Sequence, residues 1–274
     1  MNLIEKRIKV KGNEPVTIVP IGDMHVGAKG FCRDKFENLV NWICEEKNCY
    51  TIGMGDFADC IVHLDTDRYD AECVDLDFNT VEKQYRYIRE WLGKLAKKDK
   101  LLCILQGNHE HFIQQHYGHE ICNRLSYDLG VRNMGVQGLI KLTLEEDYKT
   151  KKNKSHAFTI FVHHGACSGR STGSVVNRIE EFAEAYDADI FAQGHSHKKF
   201  AHIQARWKIS DQRDGDGNLT LKEKKTAFLN TGTFLSTFVV GGPSTYAERK
   251  GYNPTVVGVV KVSLSIDGDI HVRE

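Results

Sequence analysis

Five short segments of this 274-residue chain carry side chains that bind metal ions or transfer protons. They combine aspartate, asparagine and glutamate with six of the thirteen histidines. In chain order the segments are Asp23–His25, Gly55–Asp59, Gly107–Glu110, His163–Gly165 and Gly194–His197. Neutral imidazole together with carboxylate suits Mn, Fe, Co, Ni and Zn better than Ca or Mg alone. These residues therefore predict a transition-metal centre.

The candidate ligands are too numerous for one ion. Seven of them are Asp23, His25, Asp56, Asn108, one histidine of the pair His163 and His164, His195 and His197. Two ions about 3.5–4 Å apart that share a bridging carboxylate would use seven ligands. We therefore expect two divalent transition metals, with Mn as the first candidate and Fe, Zn, Ni or Co as alternatives.

Each of the five segments directly follows an apolar run that is typical of a buried strand. These runs are residues 16–21, 50–54, 101–105, 158–162 and 190–193, and amphipathic helices are predicted over 34–47 and 78–97. Alternating strands and helices predict an α/β fold. In open α/β sheets the functional crevice lies outside the carboxyl ends of the strands. Asp23 and His25, two residues apart in an extended chain, should point to one side.

The second half of the chain is richer in strands. We predict strands over 139–144, 199–209, 219–230, 255–266 and 270–274, and a helix with its apolar stripe between residues 175 and 186. Residues 214–218 are predicted to form a hairpin turn, and the basic runs 151–154 and 222–225 to be solvated turns. Neither a linker nor a repeat divides the chain, which favours one domain over residues 1–274.

Composition excludes several classes of protein. Lys+Arg and Asp+Glu both number 37, so no global positive field attracts nucleic acid, although a local basic groove is not excluded. No apolar run approaches the ~18 residues of a membrane span. The eight cysteines form no Cys-x-x-Cys pair, which favours free thiols in a reducing compartment. We expect a cytoplasmic protein that does not bind a membrane.

The ordered set Asp-x-His, Gly-Asp-x-x-Asp, Gly-Asn-His-Glu, His and Gly-His-x-His resembles the motifs of the calcineurin-like metallophosphoesterases and spans residues 23–197. The resemblance implies a four-layer α/β/β/α sandwich with two metals above the central sheets. It implies that Asp23, His25 and His197 hold one metal and that Asp56 bridges the two metals. Asn108, His195 and a histidine of the 163–164 pair would hold the other, with His164 favoured because it precedes the glycine.

The resemblance also implies roles around the metals. His109 would protonate the leaving oxygen or stabilise charge there, while a bridging water attacks phosphorus in line. Asp59 and Glu110 would support the ligands without binding metal, Glu110 by bracing its loop or by bonding an imidazole N–H. Gly107 would allow a tight turn. Arg170 is a candidate contact for the substrate phosphate, because it precedes a helix N-terminus.

The resulting hypothesis is a phosphohydrolase whose preferred substrate is a phosphodiester. A DNA or RNA nuclease of the same fold is one alternative, with nucleic acid as the substrate. A catalytically silent metal-binding scaffold is another, but such a protein should have lost ligands, and none are lost here. The natural substrate and the oligomeric state are left open by the sequence.

Overall fold

A computed structural model describes residues 1–63, 65, 68–147, 154–166 and 171–274. The strands are β1 (Asn2–Val10), β2 (Val16–Ile21), β3 (Cys49–Gly53), β4 (Leu101–Ile104), β5 (Arg132–Asn133), β6 (Gln137–Glu146), β7 (Ser155–His163), β8 (Ile190–Gln193), β9 (Lys199–Arg213), β10 (Leu219–Thr233), β11 (Gly258–Val259), β12 (Lys261–Leu264) and β13 (Ile270–Arg273). The helices are α1 (Arg33–Glu45), α2 (Val81–Lys97), α3 (Asn108–Tyr117), α4 (Ile121–Leu129), α5 (Thr172–Ala185) and α6 (Tyr246–Arg249), with 3₁₀ turns at Ala71–Cys73 and Leu76–Phe78.

These strands form two sheets. The six-stranded sheet has the order β13-β12-β2-β3-β4-β5, in which β2 to β5 run parallel. The seven-stranded sheet has the order β1-β6-β7-β8-β10-β11, and β9 pairs with β10 outside that path. Strands β7, β8 and β10 run parallel to one another. The five polar segments begin at the carboxyl ends of β7 and β8 in this sheet and of β2, β3 and β4 in the other.

Apolar side chains of the two sheets face each other in a central core. Ile18 and Ile52 from one sheet join Ile160 and Leu229 from the other in one buried cluster. On the far side of the six-stranded sheet, α1, α2 and α4 cover a second cluster that includes Val40, Leu92 and Leu125. On the far side of the seven-stranded sheet, α5 contributes Ile179 to a third. The α/β/β/α order confirms the predicted four-layer sandwich.

Three parts of the chain differ from the sequence prediction. Strand β1 was not predicted; it pairs in parallel with β6 at the edge of its sheet. Residues 108–129 form α3 and α4, also not predicted. The single strand expected over 255–266 is wrong, because β11 pairs with β10 while β12 pairs with β2. The chain therefore crosses from one sheet to the other within that range, and neither short strand extends through the crossing.

The predicted hairpin turn at 214–218 is confirmed, since it joins the antiparallel strands β9 and β10. The basic run 222–225 is not a turn but lies inside β10. Of the other basic run, residues 151–153 lie outside the described part of the chain. Within the described residues, no helix is both long and apolar enough to cross a bilayer. The seven cysteines in that part of the chain are free thiols.

Candidate metal centre

The polar segments meet at one edge of the two sheets, and an unusual backbone brings them together. Seven described non-glycine residues have a positive φ, and five of them are candidate ligands. These five are Asp23 (48°), His25 (49°), Asp56 (49°), His195 (67°) and His197 (58°). Left-handed backbone costs an L-residue about 1–2 kcal/mol. The expectation of an extended Asp23–His25 segment is therefore wrong: β2 ends at Ile21, and tight turns direct both side chains inward.

The first group of converging side chains contains Asp23, His25 and His197, whose potential ligand atoms lie within 4.8 Å of one another. The Nε2 atoms of His25 and His197 are 2.9 Å apart. Oδ1 of Asp23 lies 3.6 Å from Nε2 of His197. Asp23 and His25 are buried, so their polar atoms are turned toward each other rather than toward water.

The second group contains Asp56, His164 and His195, within the same 4.8 Å limit. Oδ1 of Asn108 lies 2.7 Å from Nδ1 of His195 and 3.1 Å from Nε2 of His164. Nδ1 of His164 lies 2.8 Å from the carbonyl oxygen of Met54 and donates its proton there. That hydrogen bond orients the ring, so that Nε2 of His164 faces the group.

Asp56 lies between the two groups. Its Oδ2 atom is 3.3 Å from Nε2 of His164 and 3.9 Å from Nε2 of His25. Its other oxygen, Oδ1, accepts a hydrogen bond from the backbone N–H of His109 at 3.0 Å. One carboxylate therefore faces donor atoms of both groups.

His163 is separate from the cluster formed by its neighbour. Its Nδ1 atom accepts a hydrogen bond from the backbone N–H of Gly165 at 2.7 Å. Its ring stacks on Phe182 of α5, with the ring centroids 5.0 Å apart. Burial lowers the pKa of His163 to about 4, so the ring is neutral. Of the two histidines, only His164 faces the other candidate ligands.

Glu110 holds the Asp56 turn in place. Its fully buried carboxylate accepts four backbone hydrogen bonds, at 2.7–3.1 Å, from the N–H groups of Asp56, Phe57, Ala58 and Gly107. We expected Glu110 either to brace the loop or to bond an imidazole N–H. Its oxygens bond backbone N–H groups, so it shapes the loop.

Gly107 is needed for space rather than for a turn. Its backbone is extended (φ −85°, ψ 174°) at the N-cap of α3, which contradicts the expected tight turn. A Cβ atom at this position would lie 2.0 Å from Oδ1 of Asp56. Similarly, a Cβ on Gly194 would lie 2.7 Å from Oδ2 of Asp23. Gly107 allows the loops after the adjacent strands β3 and β4 to approach each other closely. Gly194 does the same for the loops after β8 and β2, which belong to different sheets.

His109 lies beside both groups: its ring centroid is 4.5 Å from that of His25, and a nitrogen of its ring lies within 4.8 Å of ligand atoms of His25 and Asp56. Nδ1 forms a hydrogen bond with the backbone carbonyl of Asp59. Nε2 lies 3.4 Å from Nη1 of Arg68, and a guanidinium can only donate. The Asp59 carboxylate lies 3.4 Å from Nδ1 of His25 and 4.0 Å from Nδ1 of His109, so it lies behind both rings.

Arg68 was missed by the sequence analysis, in which Arg170 was the only arginine considered near the motifs. The guanidinium of Arg68 bonds the buried Asp65 through Nε at 2.7 Å and through Nη2, and lies 5.2 Å from the ring centroid of Phe112. An Asp-x-x-Arg pair in the loop after Gly-Asp-x-x-Asp was the available signal. Arg170 itself lies outside the described residues.

Burial and mutual charge set the protonation of the candidate ligands. Burial raises the pKa of Asp23 well above its usual value. Burial has the same tendency at Asp56, but His164 and His109 outweigh it and hold the pKa of Asp56 well below the usual value. Burial opposes charge on His164, yet Asp56 raises the pKa of that imidazole to about 10.

The pKa values of His195 and His197 are lowered, in contrast to that of His164. Burial, followed by the nearby His164, lowers the pKa of His195 to about 4. Burial, followed by His25, lowers the pKa of His197 well below its usual value. Both rings are therefore neutral at pH 7, which is the form that a metal ion needs. Neutral imidazoles, carboxylates and one amide oxygen are a donor set that fits divalent transition metals.

The Glu110 contacts yield a stability prediction. Glu110→Gln keeps the shape of the side chain but turns an NH₂ group toward backbone N–H donors. We expect the free energy of unfolding to fall by about 2–4 kcal/mol, because buried donors lose their acceptor. Urea unfolding measures the change. Glu90→Gln, an exposed change of the same charge on α2, is the control; equal stability of the two variants would contradict the bracing role of Glu110.

Comparison with curated proteins gives a local match. Over 104 residues the chain is 32% identical to the DNA polymerase II small subunit of Thermoplasma acidophilum. The aligned region is 36% of this chain and 20% of that protein. The chain therefore spans about a fifth of the length of this curated relative.

Solved structures give distant matches. Zinc-complexed Vps29 from Entamoeba histolytica has 11% identity and a TM-score of 0.36, with 94% of this chain and 97% of that chain covered. A metallophosphoesterase from Sphaerobacter thermophilus has 10% identity and a TM-score of 0.37, with coverages of 95% and 89%. The NAD nucleotidase of Haemophilus influenzae has 10% identity and a TM-score of 0.40, with coverages of 96% and 49%. Scores this low carry no information about activity.

The match to a family model is broader. The model described as calcineurin-like phosphoesterase matches residues 16–199, which is more than half of the chain and includes all five polar segments. The chain belongs to the calcineurin-like phosphoesterase family.

Proposed function

We propose that the protein is a dimetal phosphohydrolase that prefers phosphodiesters. The observation that carries the proposal is the position of Asp56, whose Oδ2 lies within 4 Å of imidazole nitrogens from both ligand groups. A bridging carboxylate offsets charge from two cations at once. The family typically binds divalent metals, and the two groups are its candidate ligands in this chain.

The ligands that we propose follow these groups. Asp23, His25 and His197 hold one ion, Asn108, His164 and His195 hold the other, and Asp56 contacts both. His164 is chosen over His163 because its Nε2 faces Asn108 and Asp56. Since His164 is protonated without a metal, binding at this position releases a proton. Two bound cations would supply Lewis acidity, which neutralises phosphate oxygens and lowers the pKa of a water that attacks phosphorus.

The metal assignment predicts the effect of removing the shared charge. Asp56→Asn should lower the metal content from two ions per chain to fewer than one, because both sites lose negative charge. Elemental analysis after dialysis against Mn measures this. Asp216→Asn, an exposed change in the hairpin turn, should retain both ions. A wild-type chain that holds one ion at saturation, or an Asp56→Asn chain that holds two, would show that Asp56 does not bridge.

His109 is the proposed acid because both of its ring nitrogens have partners outside the two ligand groups, the Asp59 carbonyl and Arg68, although the ring is close enough to His25 and Asp56 to contact a metal. Its backbone N–H bonds Asp56, and its Nδ1 atom is fixed by the Asp59 carbonyl. Nε2 is then the nitrogen that can hold a proton for a departing oxygen. In the substrate-free structure Arg68 can only donate to this atom, so Nε2 must first take up a proton, while Nδ1 keeps its own, before it can donate to a phosphate oxygen.

This role predicts a dependence on the leaving group. His109→Ala should keep its metal content but lose about 10²–10⁴-fold in kcat, the usual contribution of a general acid or base. The loss should be large for alkyl esters and small for p-nitrophenyl esters, whose leaving oxygen needs little protonation. His119→Ala, at an exposed position, is the control. Equal losses for both kinds of ester would assign His109 to positioning the phosphate.

The preference for diesters rests on the fixed charges near the ligands. A monoester dianion favours several fixed cations beyond the metals, whereas a diester monoanion needs fewer. Arg68 is a cation that the sequence analysis did not count, but its ion pair with Asp65 leaves no net charge. The pair therefore adds hydrogen-bond donors to the site without favouring the dianion.

The corresponding prediction compares two esters. With Mn and at matched pH, kcat/KM should be higher for bis-p-nitrophenyl phosphate than for p-nitrophenyl phosphate. The same protein preparation after chelation of its metals gives the blank rate for each ester. Faster turnover of the monoester would reverse the proposed substrate class, and no turnover of either ester by a chain with two ions would favour the silent scaffold.

A nuclease is the second candidate function. The 32% identity with a DNA polymerase subunit over 104 residues favours it, although the match covers a fifth of that protein. A nuclease would also act on phosphodiesters, so the ester comparison does not separate the two functions. Cleavage of DNA or RNA, with weaker activity at higher salt, would distinguish the nuclease.

A further inference from the structure

The hairpin of β9 and β10 extends beyond the sheet to which it belongs. Pairing between β10 and β8 begins at Ala227, opposite Ile190. Before that point β10 pairs only with β9. We call residues 205–213 and 219–225 the distal ribbon. Two-stranded ribbons are marginally stable by themselves in water, so this extension is a costly feature without a role in the metal centre.

One face of the distal ribbon carries four cations. Arg206 lies directly opposite Lys224, and Lys208 directly opposite Lys222. Residues paired directly across two strands have their side chains on the same face of the ribbon. Toward the sheet, the face with the four cations becomes the face that α5 covers, where His202 of β9 bonds Glu180 of α5 at 2.9 Å. Residues two apart on a strand are about 6.8 Å apart, so the four charges form a compact rectangle.

This arrangement is unfavourable in the isolated protein. Like charges directly opposite each other on neighbouring strands destabilise the pairing. Lys224 is compensated by Asp187, at 2.6 Å, and by Asp189, at 3.7 Å. Arg206, Lys208 and Lys222 are exposed and make no hydrogen bond or ion pair within the described residues. Lys224, followed by Lys208, lowers the pKa of Asp187, so these two cations share that carboxylate. The four cations still outnumber Asp187 and Asp189, and this net positive face is complementary to a dense line of negative charge.

The opposite face is apolar. It includes Trp207, Ile209 and Leu221, which are 65–67% exposed. Glu223 and Lys225 also lie on this face, opposite Trp207 and Ala205. The charges of this pair of residues cancel. The cationic face is therefore the one that selects an anionic ligand, and the apolar face supplies an internal comparison for the experiment.

We propose that the cationic face of the distal ribbon binds the phosphate backbone of double-stranded nucleic acid. A duplex carries one charge per about 1.7 Å of its axis, so several phosphates can lie against the small area that these cations occupy. A two-stranded ribbon also fits the major groove of DNA. The inference also names double-stranded nucleic acid as the substrate of the candidate site, and this part of it rests on the proposed phosphodiester hydrolysis.

The distance to the metal centre sets the size of the duplex. Thr233 of β10 bonds the backbone carbonyl of Asp23 through Oγ1, at 2.8 Å. Nine residues separate Thr233 from Lys224, which corresponds to about 30 Å along a strand. That length equals about nine base pairs at 3.4 Å each. A duplex of about 20 base pairs is therefore longer than this separation, and it is a suitable probe for binding to the ribbon.

The experiment measures binding without catalysis. A fluorescent 20-base-pair DNA duplex is titrated with the full chain in EDTA, so that no metal-dependent cleavage occurs, at several salt concentrations. Lys208→Gln/Lys222→Gln removes two of the four cations of this face. The slope of log Kobs against log[salt] should become shallower by about 1.8, because each phosphate contact contributes about 0.9. Affinity at low salt should fall at the same time.

Two controls make the result specific. Lys35→Gln/Lys97→Gln removes the same net charge from exposed positions of α1 and α2 and should leave the slope unchanged. Trp207→Ser changes the apolar face and should have little effect. Equal slopes for the ribbon variant and the α-helix variant, or loss of binding only with Trp207→Ser, would overturn the proposal. So would a ribbon variant that loses binding to anionic lipid vesicles while wild type binds no duplex.

The binding experiment distinguishes failure of the ribbon site from failure of the phosphoesterase proposal. Duplex binding that requires the ribbon, in a protein that hydrolyses no ester when loaded with Mn, would support the ribbon site and refute the enzyme. Ester hydrolysis by a protein whose duplex binding ignores the ribbon would support the enzyme and refute the ribbon site.

Discussion

The hydrogen bonding of one buried carboxylate is the constraint on which the candidate site depends. Glu110 accepts N–H groups from three consecutive residues after β3 and from Gly107 after β4, so it joins the ends of two parallel strands. Burial and the Asp56 carboxylate raise the pKa of Glu110, while the Ala58 N–H opposes that rise. The turn that it holds carries Asp56, whose carboxylate faces both ligand groups. A small change at Glu110 would therefore affect every other ligand through Asp56.

The same edge of the sheets concentrates several unfavourable features. Five candidate ligands have left-handed backbone, two glycines approach carboxylates too closely for a Cβ, and Asp23 and Asp56 are almost inaccessible to water. Each feature costs stability, and the apolar core between the sheets offsets that cost. Strain of this kind is concentrated at functional sites because it holds side chains in positions that relaxed backbone would not reach. Divalent cations would compensate the buried carboxylates directly.

Charge is distributed differently at the ligand edge and at the distal ribbon. Near the ligands, the added cation Arg68 is neutralised by Asp65 and held against Phe112. On the cationic face of the distal ribbon, four cations outnumber the nearby carboxylates Asp187 and Asp189. A net charge of zero for the whole chain is compatible with such a local cationic face. The proposed phosphodiesterase site and this remote cationic face together favour an extended polyanionic substrate.

The sequence by itself determined the layer order of the fold and the set of residues that meet at the candidate site. Both could be predicted because buried parallel strands end in recognisable polar segments, and that pattern does not depend on the exact backbone conformation of the segments. Hydrophobic periodicity predicted α1, α2 and α5 and the central strands, but not β1, α3 or α4. Only the tertiary structure showed which of His163 and His164 faces the other candidate ligands. Neighbouring residues on a strand point to opposite sides of the sheet, so only one of the two can do so. The tertiary structure also showed that Asp23 and His25 have a left-handed backbone conformation and that Glu110 accepts hydrogen bonds from four backbone N–H groups. Arg68 reaches His109 across 41 residues of chain. The Asp-x-x-Arg pair could have drawn attention to Arg68, but its contact with His109 exists only once the loops are packed.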